Sequence, residues 1–133
     1  MQFTSDARSF YERIGGEAPL RLLVLRFYHH MHALPETQGI RAMHQTNLAS
    51  AQDKLFMFLS GWMGGPSLYI EKFGHPRLRM RHMPFSIGES ERDQWMLCMS
   101  HALADSFDDK TLRDELYETL SGVADFMRNK ADG

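Results

Sequence analysis

Residues 74–88 read GHPRLRMRHMPFSIG. The stretch holds two histidines (His75, His82), three arginines (Arg77, Arg79, Arg81) and two prolines (Pro76, Pro84). Yet the chain of 133 residues carries a formal charge of only −2. No global field draws it to nucleic acid, so the basic cluster answers to a local anion. The stretch lies in a wider region, 64–88, that contains four glycines and three prolines. A simple four-helix bundle joins its helices by short loops. A long irregular piece inside a helical domain therefore points to a fold shaped around a function.

Working outward, the apolar periodicity is helical on both sides. Upstream, a helix over 48–63 places Leu48, Ala51, Leu55, Phe58, Leu59 and Trp62 on one face, and Gly64-Gly65-Pro66 ends it. Before it, a helix over 18–34 carries the stripe Leu20, Leu23, Val24, Phe27, Tyr28 and Met31, stopped by Pro35. Residues 35–47 read as a connection. A short first helix holds Phe10, Tyr11 and Ile14 and ends at Gly15-Gly16. Downstream, a helix starts near Glu89 with Glu91 and Asp93 where the macrodipole favours acids. Its stripe is Trp95, Met96, Met99, Ala102 and Leu103. The last helix follows Asp108-Asp109, either of which can cap it, and carries Leu112, Leu116, Leu120, Val123 and Met127. Within 64–88 only short turns over 68–72 and 77–81 read as helical. No period-two run reads as a strand. The expected class is all-α, in one domain spanning 1–133.

Composition narrows the function. The single cysteine, Cys98, permits no internal disulfide and agrees with a reducing compartment. No apolar run approaches the ~18 residues of a membrane span, and no leader pattern opens the chain. A cytoplasmic protein that binds neither membrane nor nucleic acid is expected. Ten methionines suit either an ordinary helical core or a pocket shaped around something other than protein.

The histidines divide by context. His29, His30 and His32 crowd the end of one helix, where the dipole favours them. His29 and His32 have the spacing of a metal-binding pair, but no further ligand is spaced to complete a zinc site. His101 reads as a surface or boundary residue and His75 as a turn residue. His82 differs, because it follows a basic turn and precedes the apolar anchor Met83-Pro84-Phe85. An imidazole directed into an apolar pocket with guanidiniums at its rim suits a flat apolar cofactor with carboxylates along one edge. Haem is such a molecule.

Five segments then carry a resemblance: YERIGG (11–16), RFY (26–28), DKLFMFLSGWMGGP (53–66), GHPRLRMRHMPF (74–85) and ERDQW (91–95). In this order they resemble the truncated haemoglobins, and GHPRLRMRH with the later tryptophan resembles group II in particular. The resemblance runs from Phe10 to about Met127. It implies a two-over-two helical sandwich enclosing haem b, with His82 as the proximal iron ligand. It implies Tyr28, Trp95 and His44 on the distal side, and Ala51 where many globins place a distal histidine. Leu55 and Phe58 are implied as apolar contacts of the cofactor. Arg81 is implied beside a propionate, with Lys72, Tyr69 and Arg79 as further candidates for that rim.

The function so implied is binding of O2, NO, CO or similar small iron ligands. Peroxide turnover and conversion of NO to nitrate are further reactions the resemblance allows, and turnover would require a reductase. Monomer and homodimer both remain open. The competing class is a haem-free helical protein, either regulatory or zinc-binding through His29 and His32. His82→Ala separates the classes. The variant is expected to lose haem retention and its Soret band on purification, and an unchanged spectrum would remove His82 as the axial ligand.

Overall fold

The central helix forms because its apolar residues recur every three or four positions and so share one face. The computed structural model describes residues 8–44, 46–74 and 88–126. In it this helix, α2, spans Glu17–Ala33 and buries Leu20, Leu23, Val24, Phe27, Tyr28 and Met31. Each such side chain contributes ~1.5–3 kcal/mol of burial. The helix starts where Gly15 and Gly16, at φ of 103° and 92°, turn the chain out of the short helix α1, Phe10–Ile14. Only glycine holds those angles without strain. Ser9 and Glu12 close a capping box at the start of α1.

After α2, a 3-10 turn at Pro35–Thr37 leads into α3, Gln38–Ala42. The sequence pattern over 35–47 reads only as a plain connection. Five residues are too few to display a helical period, and α3 owes its existence to partners elsewhere in the chain. The buried Thr37 hydroxyl fixes the turn by donating to the carbonyls of Met31 at 2.9 Å and Leu34 at 3.1 Å.

Next come α4, Ala49–Trp62, and α5, Leu68–Phe73. Two further helices follow, α6, Glu89–Ser106, and α7, Lys110–Phe126. The Gly88 N–H donates to the Glu91 carboxylate at 2.7 Å at the start of α6. The Leu112 N–H donates to Asp109 Oδ1 at 3.2 Å, so Asp109, not Asp108, caps α7. The described residues contain no strand.

Helix α2 packs on both α4 and α6, α5 packs on α4, and α7 packs on α6. The result is a two-over-two sandwich. The apolar face of α4 is split more finely than its sequence implies. Phe56, Leu59 and Ser60 are buried, whereas Ala51, Leu55, Phe58 and Trp62 are half-buried. One side of α4 thus completes the core, and a neighbouring side remains partly open. The candidate site residues of the 74–88 stretch, His75, Arg77, Arg79, Arg81 and His82, lie outside the described residues.

Charge pairs tie the outer elements together. Arg13 donates to both carboxylate oxygens of Glu115, at 2.9 and 3.3 Å, joining α1 to α7. The two side chains are only 9% and 14% exposed, so solvent screens the pair weakly. Lys110 and Asp114, by contrast, are 77% and 63% exposed. Glu115→Ala is expected to cost about 1.5–3 kcal/mol in urea denaturation. Asp114→Ala should stay within about 1 kcal/mol of the parent. Equal losses would mean that burial does not set the worth of the inner pair.

Candidate functional site

Four rings from three parts of the chain meet beside the open side of α4. Successive residues of a helix point about 100° apart, so Phe27 and Tyr28 on α2 cannot face the same neighbour. Phe27 is fully buried and packs against Trp95 of α6, ring centroids 5.0 Å apart. Tyr28 turns toward α4. Its ring meets the edge of Phe27 at 5.0 Å and the His44 ring at 5.8 Å, both close to perpendicular. Such edge contacts suit the quadrupoles of aromatic rings.

The polar atoms of these rings are sparsely satisfied. The Tyr28 hydroxyl donates to the Ala51 carbonyl at 3.5 Å, the outer limit of a hydrogen bond. Tyr28 is only 6% exposed. Burial, and secondarily the Cys98 thiol, push its pKa well above the usual tyrosine value, so the phenol stays a proton donor throughout the physiological range. The half-buried Trp95 indole makes a ring contact and, among the described residues, no hydrogen bond. His44 is half-buried, and its Nδ1 lies 2.9 Å from the Ile40 carbonyl. Cys98 is wholly buried, and desolvation pushes its thiol up to about 11, which leaves it protonated and inert at neutral pH.

On the α4 side, Ala51, Leu55 and Phe58 present partly covered apolar surface. Phe58 meets the buried Tyr69 of α5 edge-on at 6.5 Å, and Tyr69 packs on Phe73 at 4.9 Å. Lys72 lies over the Phe73 ring, its Nζ 5.5 Å from the centroid. It is exposed and lines a cavity of about 500 Å³ with Arg21, Asp53, Phe56, Met57, Leu68 and Glu71. The structure therefore brings Tyr28, His44 and Ala51 together, holds Trp95 one ring away across Phe27, and sets Leu55, Phe58 and Tyr69 along the adjoining helices.

The residues present fit haem by their chemistry. A partly open apolar helix face can cover a flat apolar ring. A buried hydroxyl whose partner lies at the limit of hydrogen bonding, and an unengaged indole N–H, are donors awaiting an acceptor. The zinc alternative finds no such footing. Among the described residues no group of three His, Cys, Asp or Glu side chains is placed to hold a metal ion. His30 instead engages Asp105 at 2.6 Å and stacks near His101, while His29 and His32 are exposed.

Two participants escaped the sequence reading. Phe27 was assigned only to the core stripe, although it separates the Tyr28 and Trp95 rings. Gln94 stood unremarked inside the segment ERDQW, yet it reaches α3. Adjacency to Tyr28 and to Trp95 was the only signal available for either.

Comparison with known proteins agrees with this geometry. The family model described as bacterial-like globin matches residues 9–129. A group 2 truncated haemoglobin of Bacillus subtilis (strain 168) is 36% identical over 122 residues, covering 92% of this chain and 89% of that protein. Two solved structures superpose with a TM-score of 0.90. One is a cold-adapted truncated haemoglobin from Pseudoalteromonas haloplanktis, 40% identical, covering 93% of this chain and all of that one, 100%. The other is a group II 2-on-2 haemoglobin from Agrobacterium tumefaciens, 39% identical, covering 96% and 99% of the two chains. The protein is thus a globin, and it belongs to the group II truncated haemoglobins. Haem-based binding of small diatomic ligands such as O2 follows from that membership. No helix among the described residues is long and apolar enough to cross a membrane.

Burial of Tyr28 has a pH signature. Its folded pKa lies above the unfolded value of about 10, so the unfolded chain releases this proton first, and stability falls as pH rises past about 10. In the folded protein, Tyr28→Phe should leave tyrosinate absorbance unchanged up to about pH 11. Loss of one tyrosine's signal below that pH would show that the phenol is not desolvated.

Proposed function

We propose that the chain, acting as one domain over 1–133, holds haem b through His82 and meets the iron's small ligands with Tyr28, Trp95 and His44. The observation that carries this reading is the buried, protonated Tyr28 phenol beside His44, next to the partly open apolar side of α4, with Trp95 one ring away across Phe27. Leu55 and Phe58 would cover the cofactor's apolar surface, and the small Ala51 would leave room for the ligand. Arg81, with Arg79, Tyr69 and Lys72 as further candidates, would pair with its carboxylates.

Haem, when bound, supplies a ferrous iron able to take a diatomic molecule. The protein's part is to aim donors at that molecule. Tyr28 O–H and Trp95 N–H are both neutral donors, and an indole N–H can only donate. Fixed donors stabilise charge that develops on a ligand without reorganising. Each contributes ~0.5–1.5 kcal/mol, so the pair slows ligand loss by roughly 5- to 150-fold if the whole effect falls on dissociation. Such slow release suits retention, and redox chemistry directed at NO or peroxide, better than rapid delivery. Turnover of that kind would draw electrons from a reductase.

Purified protein expressed with adequate haem is expected to show a Soret band, and its absence would sink the reading. Tyr28→Phe and Trp95→Phe should each accelerate O2 dissociation by roughly 2- to 12-fold in stopped-flow measurements. Unaltered rates in both variants would place the donors elsewhere.

A further inference from the structure

Helix α3 has five residues and, on its own, no means of staying folded. Its N-cap, Thr37, makes no side-chain capping bond, because its hydroxyl is turned back to Met31 and Leu34. The N–H groups of the first turn thus need partners from outside. Gln94 of α6 supplies one, its Oε1 accepting from the Ile40 N–H at 3.0 Å. The amide is oriented from its other end, where Nε2 donates to Ser90 Oγ at 3.0 Å. Gly39 keeps the approach open. A Cβ at that position would stand 2.9 Å from Gln94 Oε1.

The far end of the same short helix holds His44. Its Nδ1 lies 2.9 Å from the Ile40 carbonyl. A carbonyl only accepts, so in the neutral ring Nδ1 carries the proton and Nε2 is a bare acceptor. Ile40 is therefore gripped on both sides, by Gln94 at its N–H and by His44 at its C=O. The imidazole so held faces the Tyr28 ring. His44 then offers one acceptor next to the Tyr28 donor.

We propose that Gln94 is a positioning residue for His44: by capping α3 through the Ile40 N–H, it fixes the imidazole with Nδ1 protonated and Nε2 available as an acceptor. This rests on reading the space beside Tyr28 and Trp95 as the ligand cavity. Two donors and one acceptor suit a ligand that both accepts and donates hydrogen bonds, such as hydrogen peroxide or water. CO, NO and O2 can only accept. The immediate claim concerns the state of His44 and can be read without turnover.

The test uses the full chain with 15N-labelled histidine, in the haem-loaded, CO-saturated ferrous form, observed by long-range 1H–15N correlation across a pH series. The His44 signal is identified by its loss in His44→Ala. In the parent, neutral His44 is expected as the Nδ1–H tautomer. Gln94→Met removes the acceptor at nearly constant shape. It is expected to mix the two tautomers and speed Ile40 amide exchange by roughly 3- to 10-fold. Gly39→Ala should do the same to a smaller extent, because its Cβ displaces only the tip of Gln94. Gln94→Glu retains an acceptor and should restore the parent pattern.

Should Gln94→Met not fold, Gly39→Ala and Gln94→Glu decide the matter. An Nε2–H tautomer in the parent overturns the proposal. So does a Gln94→Met variant that loses stability while His44 keeps its tautomer, or a Gln94→Glu variant that fails to restore it. Absence of a Soret band in the parent would instead remove the ligand-cavity reading. The tautomer of His44, measured on the same chain without haem, would still judge the role of Gln94.

Discussion

Phe27 is the constraint on which the site depends. It is fully buried against Trp95 and sits in the helix that contacts both layers of the sandwich. With Phe27 locked into α6, helix geometry leaves Tyr28 only one direction, toward α4. The hydrophobic effect thus aims a polar group. The hydroxyl has little freedom to find a better partner than a distant carbonyl, and it is kept protonated by the same burial that directs it. Core packing and the placement of this hydroxyl are not separate features of the helix.

The surrounding elements differ in how they are held. Helices α2, α4, α6 and α7 are long enough to bury a stripe each, and their packing free energy outweighs any single polar contact. Helices α1 and α3 are short and depend on specific bonds. The nearly buried Arg13–Glu115 pair fastens α1, while Gln94 and Thr37 frame α3. A protein that binds a small ligand gains from this division. The long layers fix Tyr28 and Trp95, and the short helix with its polar caps sets His44.

Much of the fold was legible because long amphipathic helices announce themselves by period. The boundaries of α2, α4, α6 and α7 fall within about one or two residues of those read from Pro35, Gly64-Gly65, Glu89 and Asp109. Helix α3 was not legible, since its caps come from Gln94, more than fifty residues away in sequence. The division of α4 into a core side and a partly open side was also hidden. Leu55 and Leu59 look alike in a hydrophobic pattern, and only packing against α2 tells them apart. Tyr28, Trp95 and His44 were singled out by family resemblance, not by anything local to each residue.

The sequence by itself determined an all-helical chain of the truncated haemoglobin type, because helical period, glycine and proline stops, and the order of motifs are one-dimensional signals. Only the tertiary structure decided which rings meet. Tyr28, His44 and Trp95 lie on segments whose spacing along the chain says nothing of their distance in space. Phe27 bridges the Tyr28 and Trp95 rings, and the Tyr28 ring meets His44, whose Nδ1 lies against the Ile40 carbonyl. The protonation states belong to the same level, because desolvation of Tyr28 and the carbonyl beside His44 exist only once the helices have packed.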